Sequence, residues 1–103
     1  HIVQGHVDGM GQVSRIETLD GSHVLHISHP SKEDFLTVNK GSITINGVSL
    51  TVVQSTSEGL SVAIIPYTWE HSNLCALQVG DSVNLEFDII GKYVARMLSN
   101  RRN

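Results

Sequence analysis

The feature that most constrains the fold is a tight hairpin within the stretch KGSITINGVSLTVV. Two segments of alternating apolar and polar residues, 41–45 and 48–54, are separated by only two residues, Asn46 and Gly47. Asn and Gly tolerate the positive φ that a two-residue type I′ turn requires, and such a turn joins antiparallel strands. The chain must therefore contain an antiparallel sheet, and the alternation predicts that one of its faces is apolar.

Similar short segments occur along the rest of the chain. An Asp20-Gly21 pair predicts a second tight hairpin, and Pro30 and Pro66 end two other strands. After an opening strand, His1–Val7, strand segments are predicted over 11–17, 22–28, 41–45, 48–54, 60–65 and 81–87. Because closing a sheet removes its exposed edges, this pattern predicts an all-β fold, a small six-stranded Greek-key barrel.

Helical segments are predicted at the margins of this barrel. The stretch 31–34 resembles a capping box that opens a short helix, and TWEHSNL (68–74) is predicted as a helical turn or loop. Asp88 can cap a final helix, in which Ile90, Tyr93, Val94, Met97 and Leu98 form an apolar stripe. The predicted organisation is a barrel over 1–87 and a C-terminal helix over 88–103.

Composition excludes several classes of function. The chain has 103 residues and a formal net charge of -3, which opposes a phosphate-tracking nucleic-acid surface. No run approaches the roughly 18 apolar residues of a membrane span. A single cysteine, Cys75, cannot form an internal disulfide, and we expect a cytoplasmic protein.

Two groups of side chains have the composition of a functional site but a simpler interpretation. His23, His26 and His29 have metal-like spacing, but on a strand the middle histidine faces away from the other two. We therefore expect no metal site. Ser49, His6 and Asp88 are the residue types of a hydrolase triad, but the sequence has no G-x-S-x-G elbow, which opposes a hydrolase.

Two polar features remain as candidates for a ligand site. Ser49 and Thr51 lie on one face of their strand, where they either line a shallow trough or simply face water. The stretch AIIPYTWEHSNL ends a strand at Pro66 and leaves backbone amides unpaired, which suits a flat, amide-rich ligand or is an ordinary strand end.

Four consecutive motifs resemble a known family. GHVDGMGQV, KGSITINGVSLTVV, IPYTWEHSNL and VGDSVNLEFDIIGKYVARML are similar, in order and spacing, to the lumazine-binding barrel of riboflavin synthases. That family has two such barrels in tandem, followed by a helix that brings three subunits together. First barrels typically begin MFTGIV and contain CLTV, whereas this chain begins HIVQGHVDG and contains SLTV. The resemblance therefore implies the C-terminal half, cut at the start of its barrel.

The resemblance also implies a reaction. Riboflavin synthases convert two molecules of 6,7-dimethyl-8-ribityllumazine into riboflavin and 5-amino-6-ribitylamino-pyrimidinedione by transfer of a four-carbon unit, without a cofactor. The active site lies between the first barrel of one subunit and the second barrel of another. The implied partners are the lumazine, riboflavin, the N-terminal barrel and, in the full-length protein, a homotrimer. The isolated half is expected to bind ligand with weak activity or none, and to pair as a dimer.

Specific residues match the family's ligand-contacting positions. The implied substrate-binding residues are Gly5, His6, Val7, Lys40, Ser49, Leu50, Thr51, Ala63, Ile64, Ile65, Pro66, Tyr67 and Thr68. The implied catalytic residues are His6, Ser49, Thr51 and Asp88. Imidazole titrates near neutral pH, so His6 suits removal of a proton from the acidic methyl group of the lumazine.

One departure and one alternative accompany the resemblance. Asn46 stands where many family members have Asp, and we interpret this position as a turn residue without a charge role. The alternative function is that of a non-catalytic carrier of lumazine or flavin, similar to the lumazine proteins that share this barrel.

Overall fold

The structure, a computed structural model, describes residues 9–30 and 41–87. Six strands are present: β1 Gly9–Leu19, β2 Ser22–Ser28, β3 Ser42–Ile45, β4 Val48–Thr56, β5 Gly59–Ile64 and β6 Ser82–Phe87. Helix α1, Pro66–His71, and a 3-10 turn, Asn73–Ala76, connect β5 to β6. The strand predicted over 1–7, the capping box at 31–34 and the final helix lie outside the described residues.

The six strands form a closed antiparallel barrel in the order β1-β2-β5-β4-β3-β6, with β6 paired to β1. Strands β3, β4 and β5 form a meander, and β2 and β6 reach its two edges through long connections. This is the Greek-key arrangement, in which a fourth strand returns beside a hairpin-connected set of three. The fold class predicted from the alternation is confirmed.

Alternation along the strands fills the barrel with aliphatic side chains. The buried core consists of Val13, Leu25, Ile27, Ile43, Ile45, Leu50, Val52, Leu60, Val62, Ile64, Leu74, Val83 and Leu85. Every strand contributes to this set, and only Leu74 comes from the 3-10 turn. Burial of a branched aliphatic side chain stabilises a fold by about 1.5–3 kcal/mol, so this interior is the main source of stability.

Two bulges interrupt the alternation. The pairing of β1 with β2 shifts between Val13 and Arg15, which leaves Ser14 as an extra residue. The pairing of β4 with β5 shifts between Val52 and Gln54, which leaves Val53 as an extra, exposed residue. A bulge inserts one residue and increases the local twist, as a small closed barrel requires.

Most predicted boundaries differ from the structure by one or two residues, and the differences at β1 and α1 have a clear physical cause. The strand predicted over 11–17 extends as β1 over Gly9–Leu19, because β1 pairs with β6 at its start and with β2 along the rest. The turn predicted at 68–74 begins earlier, as helix α1 at Pro66. Proline lacks the N–H of a strand ladder but suits the first position of a helix, so one residue ends β5 and begins α1. Within 9–30 and 41–87 no helix has the length and apolarity needed to cross a bilayer.

The predicted type I′ turn is present, and Asn46 is its central residue. Asn46 and Gly47 have φ values of 49° and 86°. The Asn46 side-chain Oδ1 accepts a hydrogen bond from the backbone N–H of Asn84 at 2.8 Å, and its carbonyl accepts one from the Asn73 side chain at 3.2 Å. Asn46 therefore joins the β3–β4 turn to β6 and to the 3-10 turn. These contacts account for Asn46 as a turn residue.

Replacement of Asn46 tests this role. Asn46→Asp keeps the acceptor oxygen and the tolerance for positive φ, so we expect the free energy of unfolding to change by less than about 0.5 kcal/mol. Asn46→Ala loses both, and we expect a loss of about 1–2 kcal/mol. Urea denaturation of both variants measures the difference. An Asp variant as unstable as the Ala variant would contradict the assignment.

Candidate ligand-binding site

The hydroxyl pair of β4 lies on the outer surface of the barrel. Ser49 and Thr51 are exposed, and Leu50 between them points into the core with 7% exposure. The predicted alternation of this strand is confirmed. Strand pairing places Thr51 between Ser42 of β3 and Ala63 of β5, both of which are also exposed.

These residues form a shallow surface that we call the outer trough. It consists of Ser42, Thr44, Ser49, Thr51, Ala63 and Ile65. Three adjacent strands span roughly 10 Å at about 4.8 Å per strand, and alternate residues on one strand are about 7 Å apart. Small side chains leave the surface open, so a flat ring can lie across the three strands.

The strand end beside the outer trough supplies backbone donors. Ile65, with 62% exposure, follows the last residue of β5, and its carbonyl accepts the N–H of Trp69 at 3.0 Å. Pro66 has no N–H. The N–H groups of Tyr67 and Thr68 precede this first helical bond, and no side chain caps the helix. Within the described residues both amides are unpaired and remain available to carbonyl oxygens of a ligand.

One charged side chain borders the outer trough, because Glu86 of β6 pairs with Thr44 of β3 and is half-buried. The row that contains Thr51 and Ala63 continues across β2 at Val24 and reaches a carboxylate only at Glu17 on β1. That carboxylate is engaged, because Oε1 of Glu17 lies 2.6 Å from Nε2 of His26 and its Oε2 lies 3.1 Å from Arg15. The part of the trough around Thr51 and Ala63 therefore has no free charge and suits an uncharged ring that offers hydrogen-bonding atoms.

Two aromatic stacks lie on helix α1. The His23 ring of β2 and the Trp69 ring are stacked with centroids 3.9 Å apart and an interplanar angle of 9°. Trp69 also packs against the core. On the exposed side, Tyr67 stacks on His71 at 4.1 Å, and Nδ1 of His71 lies 2.9 Å from the Tyr67 carbonyl. The helix is thus held on one side by Trp69.

A second concavity, of about 290 Å³, lies on the outer surface near the β4–β5 turn. Several of its hydroxyls are already used internally. Ser14 donates to the His26 carbonyl, Ser28 to the Gln12 carbonyl and Thr56 to the Gly59 carbonyl. Because these donors are satisfied, this concavity is a weaker candidate for a ligand site than the outer trough.

The structure brings some predicted site residues together. Ser49, Thr51, Ala63 and Ile65 share the outer trough, and Pro66, Tyr67 and Thr68 border it. The Leu50 and Ile64 side chains are buried, with 7% and 1% exposure, so a ligand reaches them only through the backbone. Gly5, His6, Val7, Lys40 and Asp88 lie outside the described residues, and their roles stay predictions.

Sequence reasoning missed two contributors to the trough. Ser42 and Thr44 lie opposite Thr51 and Ser49 in the β3–β4 register. The two-residue turn determines that register, so the same signal that predicted the hairpin could have identified both. The histidine arrangement agrees with the predicted faces: His29 is buried, whereas His26 is half-buried and bonds Glu17. Among the described residues, no three His, Cys, Asp or Glu side chains group as a metal set.

A closed, six-stranded antiparallel Greek-key barrel with hydroxyl side chains on its outer surface defines a class of small all-β domain. The family model of the lumazine binding domain matches residues 4–88. The chain belongs to this lumazine-binding family.

Similar proteins are consistent with that assignment. The chain is 44% identical over 98 residues to riboflavin synthase of Actinobacillus pleuropneumoniae and 37% identical over 98 residues to that of Bacillus subtilis (strain 168). Each alignment covers 95% of this chain and 46% of the relative. The chain therefore spans about half the length of the curated relatives it matches.

Solved structures of LumP share the barrel. The crystal structure of LumP complexed with riboflavin matches with a TM-score of 0.72 and 26% identity, and covers 82% of this chain and 45% of LumP. The structure of LumP complexed with 6,7-dimethyl-8-(1'-D-ribityl) lumazine matches with a TM-score of 0.71 and 27% identity, and covers 84% and 47%.

Substitutions on strand β4 distinguish its exposed residues, which belong to the trough, from the buried residue Leu50, which belongs to the core. We expect Ser49→Ala and Thr51→Val each to change the free energy of unfolding by less than about 0.5 kcal/mol, because both side chains are exposed. Leu50→Ala, on the same strand, should lose about 2–5 kcal/mol through lost burial and a cavity. Chemical denaturation compares the three. A large loss in either hydroxyl variant would make that hydroxyl part of the fold.

Proposed function

We propose that this chain binds 6,7-dimethyl-8-ribityllumazine and riboflavin at the outer trough, as the C-terminal barrel of a riboflavin synthase. The observation that carries the proposal is the pairing of Thr51 with Ala63 on the exposed face of the barrel, beside a strand end where the amides of Tyr67 and Thr68 have no partner among the described residues. The LumP structures complexed with riboflavin and with the lumazine support the ligand class.

The chemistry of the ligand matches the chemistry of the trough. A pyrimidinedione ring presents carbonyl oxygens, which accept hydrogen bonds from backbone N–H groups at 67 and 68. The exposed Ile65 side chain and the methyl group of Ala63 offer apolar surface to the face of the ring. The hydroxyls of Ser49 and Thr51 donate and accept, so they suit ring nitrogens and ribityl hydroxyls.

The placement in the C-terminal half rests on sequence motifs. The strand motif is SLTV at 49–52, where first barrels typically have CLTV. The stretch DIIGKYVARML at 88–98 is similar to the family's trimer helix. On this proposal the chain divides into a barrel over 1–87 and an oligomerisation helix over 88–103.

In the full-length cytoplasmic enzyme, two lumazines react between this barrel and an N-terminal barrel of another subunit. One lumazine gives a four-carbon unit to the other, which yields riboflavin and 5-amino-6-ribitylamino-pyrimidinedione without a cofactor. His6 transfers the methyl proton, Ser49 and Thr51 hold the ring, and Asp88 contacts the ribityl chain. Gly5, Val7 and Lys40 complete the contacts. The whole protein is a homotrimer, and this half alone is a dimer with weak activity or none.

A second candidate function is a carrier that binds the ligand without turnover. The resemblance to LumP, solved with riboflavin and with the lumazine, favours it, because an open trough that binds a ring serves storage as well as catalysis. Incubation of the full-length protein with the lumazine separates the two. Riboflavin formation identifies the enzyme, whereas a stable complex without product identifies the carrier.

Titration with riboflavin tests the site. Flavin fluorescence should be quenched as this chain is added, and Thr51→Val should weaken binding about threefold to tenfold through loss of one hydrogen bond. Ser57→Ala, in the β4–β5 turn away from the trough, is the matched control and should bind like the parent. Absence of quenching at flavin concentrations near 1 mM, a limit of about -4 kcal/mol, would reject the binding proposal.

Kinetics of the full-length enzyme test the role of His6. If His6 transfers the proton, His6→Gln should lower kcat by roughly 100-fold or more while substrate binding stays nearly intact. If the ring only contacts the ligand, the similar-sized amide should change affinity and kcat together and modestly. Steady-state rates with direct measurement of substrate affinity distinguish these cases. A kcat within about threefold of the parent would leave His6 as a contact residue.

A further inference from the structure

Helix α1 lies beside the outer trough, but its own sequence does little to stabilise it. It is six residues long, has no side-chain cap at its first turn and contains no fully buried residue. An isolated helix of this length is not stable in water, so tertiary contacts must fix its position. The position of the amides at 67 and 68 therefore depends on what the helix touches.

The main such contact is the stack between Trp69 and His23. The centroid separation of 3.9 Å and the angle of 9° describe two flat rings in full face contact. Trp69 is the one residue of α1 that packs against the core. The helix start lies near the β1–β2 turn, since a Cβ built on Gly21 would lie 4.0 Å from Pro66 Cγ. The helix thus rests on the start of β2.

The His23 ring is chemically unusual at this place. Its Nδ1 is buried and has no hydrogen-bond partner among the described residues. A buried polar atom without a partner is unfavourable, so hydrogen bonding does not explain a histidine here. What the ring does supply is a flat surface of the right size for Trp69. A ring at position 23 therefore acts through its shape.

We propose that His23 is a positioning residue for the ligand site: its stack on Trp69 holds α1 so that the backbone at 65–68 faces the outer trough. This inference rests on the proposed function, because the segment it positions is the one proposed to contact the ring of the ligand. Preorganisation of that segment lowers the cost of binding, so loss of the stack weakens affinity even where the barrel remains folded.

Two substitutions of His23 distinguish the contribution of the flat ring from that of its nitrogen atoms. His23→Phe keeps a flat ring and removes the unpaired nitrogen, whereas His23→Leu keeps bulk and removes the flat ring. We expect the riboflavin Kd of the Phe variant to stay within about twofold of the parent, and that of the Leu variant to rise about fivefold or more. Ile27→Val, an inward residue on the same strand, is the control for a general loss of core packing and should keep the parental Kd.

A second measurement reads the helix without ligand. Trp69 is the sole tryptophan of the chain, so its near-UV circular dichroism and its quenching by acrylamide report on α1 alone. The Leu variant should lose the dichroism band and gain acrylamide quenching, whereas the Phe and Ile27→Val variants should resemble the parent.

The outcomes are separable. If the parent does not bind riboflavin, the proposed function fails, and the tryptophan signals alone decide whether His23 positions α1. Unchanged tryptophan signals in the Leu variant would overturn the proposal. A Leu variant that binds riboflavin like the parent would also overturn it, and so would a Phe variant as weak as the Leu variant.

Discussion

Closure of the sheet through the pairing of β1 with β6 is the constraint on which the rest of the structure depends. Gly11 lies opposite Val83 in this pair, and a Cβ there would come within 2.6 Å of Ile27 and 2.9 Å of the Ser28 carbonyl. It would also come within 3.0 Å of Leu85 on β6, so the absence of a side chain at Gly11 permits the close approach of β1 to both β2 and β6. Once the barrel is closed, every strand has one face toward the interior and one toward solvent. The alternation of apolar and polar residues along each strand then matches these two faces.

The bulge in β4 limits the length of the hydroxyl face on the outer surface. On β4 the hydroxyl face runs from the Asn46-Gly47 turn to the extra residue at Val53, after which the alternation changes phase. The outer trough lies within that interval. The turn at one end and the bulge at the other thus set the length over which Ser49 and Thr51 can face the same ligand. The same twist that lets the barrel close also limits the size of the site.

The outer trough and the barrel interior differ in the space that they offer to a ligand. The interior is filled by aliphatic side chains, so a ring can only lie on the outer surface, with one face against the sheet. Its other face is then left open to a second surface. This geometry is compatible with the proposed reaction, in which two lumazines meet face to face between barrels.

The sequence alone determined the strand pairing and the two faces of the central hairpin, because the two-residue turn and the alternation of period two are local properties. It also offered Ser49 and Thr51 as candidates because they are polar residues on an apolar hairpin, and the strand end at 63–68 because Pro66 leaves backbone amides unpaired. It did not reveal that Ser42 and Thr44 share the trough. The position of these two residues beside Thr51 and Ser49 depends on the register between β3 and β4, and the pattern within a single strand does not contain that register.

Only the tertiary structure decided which surfaces meet. The extension of β1 to Gly9 arises from its pairing with β6, a strand some seventy residues away along the chain. The stack of His23 on Trp69 joins residues that no local pattern relates, since one lies on a strand and the other on a helix that begins at Pro66. Local propensity governs turns and alternation because those depend on neighbours in sequence. The partners of a side chain depend on closure of the barrel, and closure is a property of the whole chain.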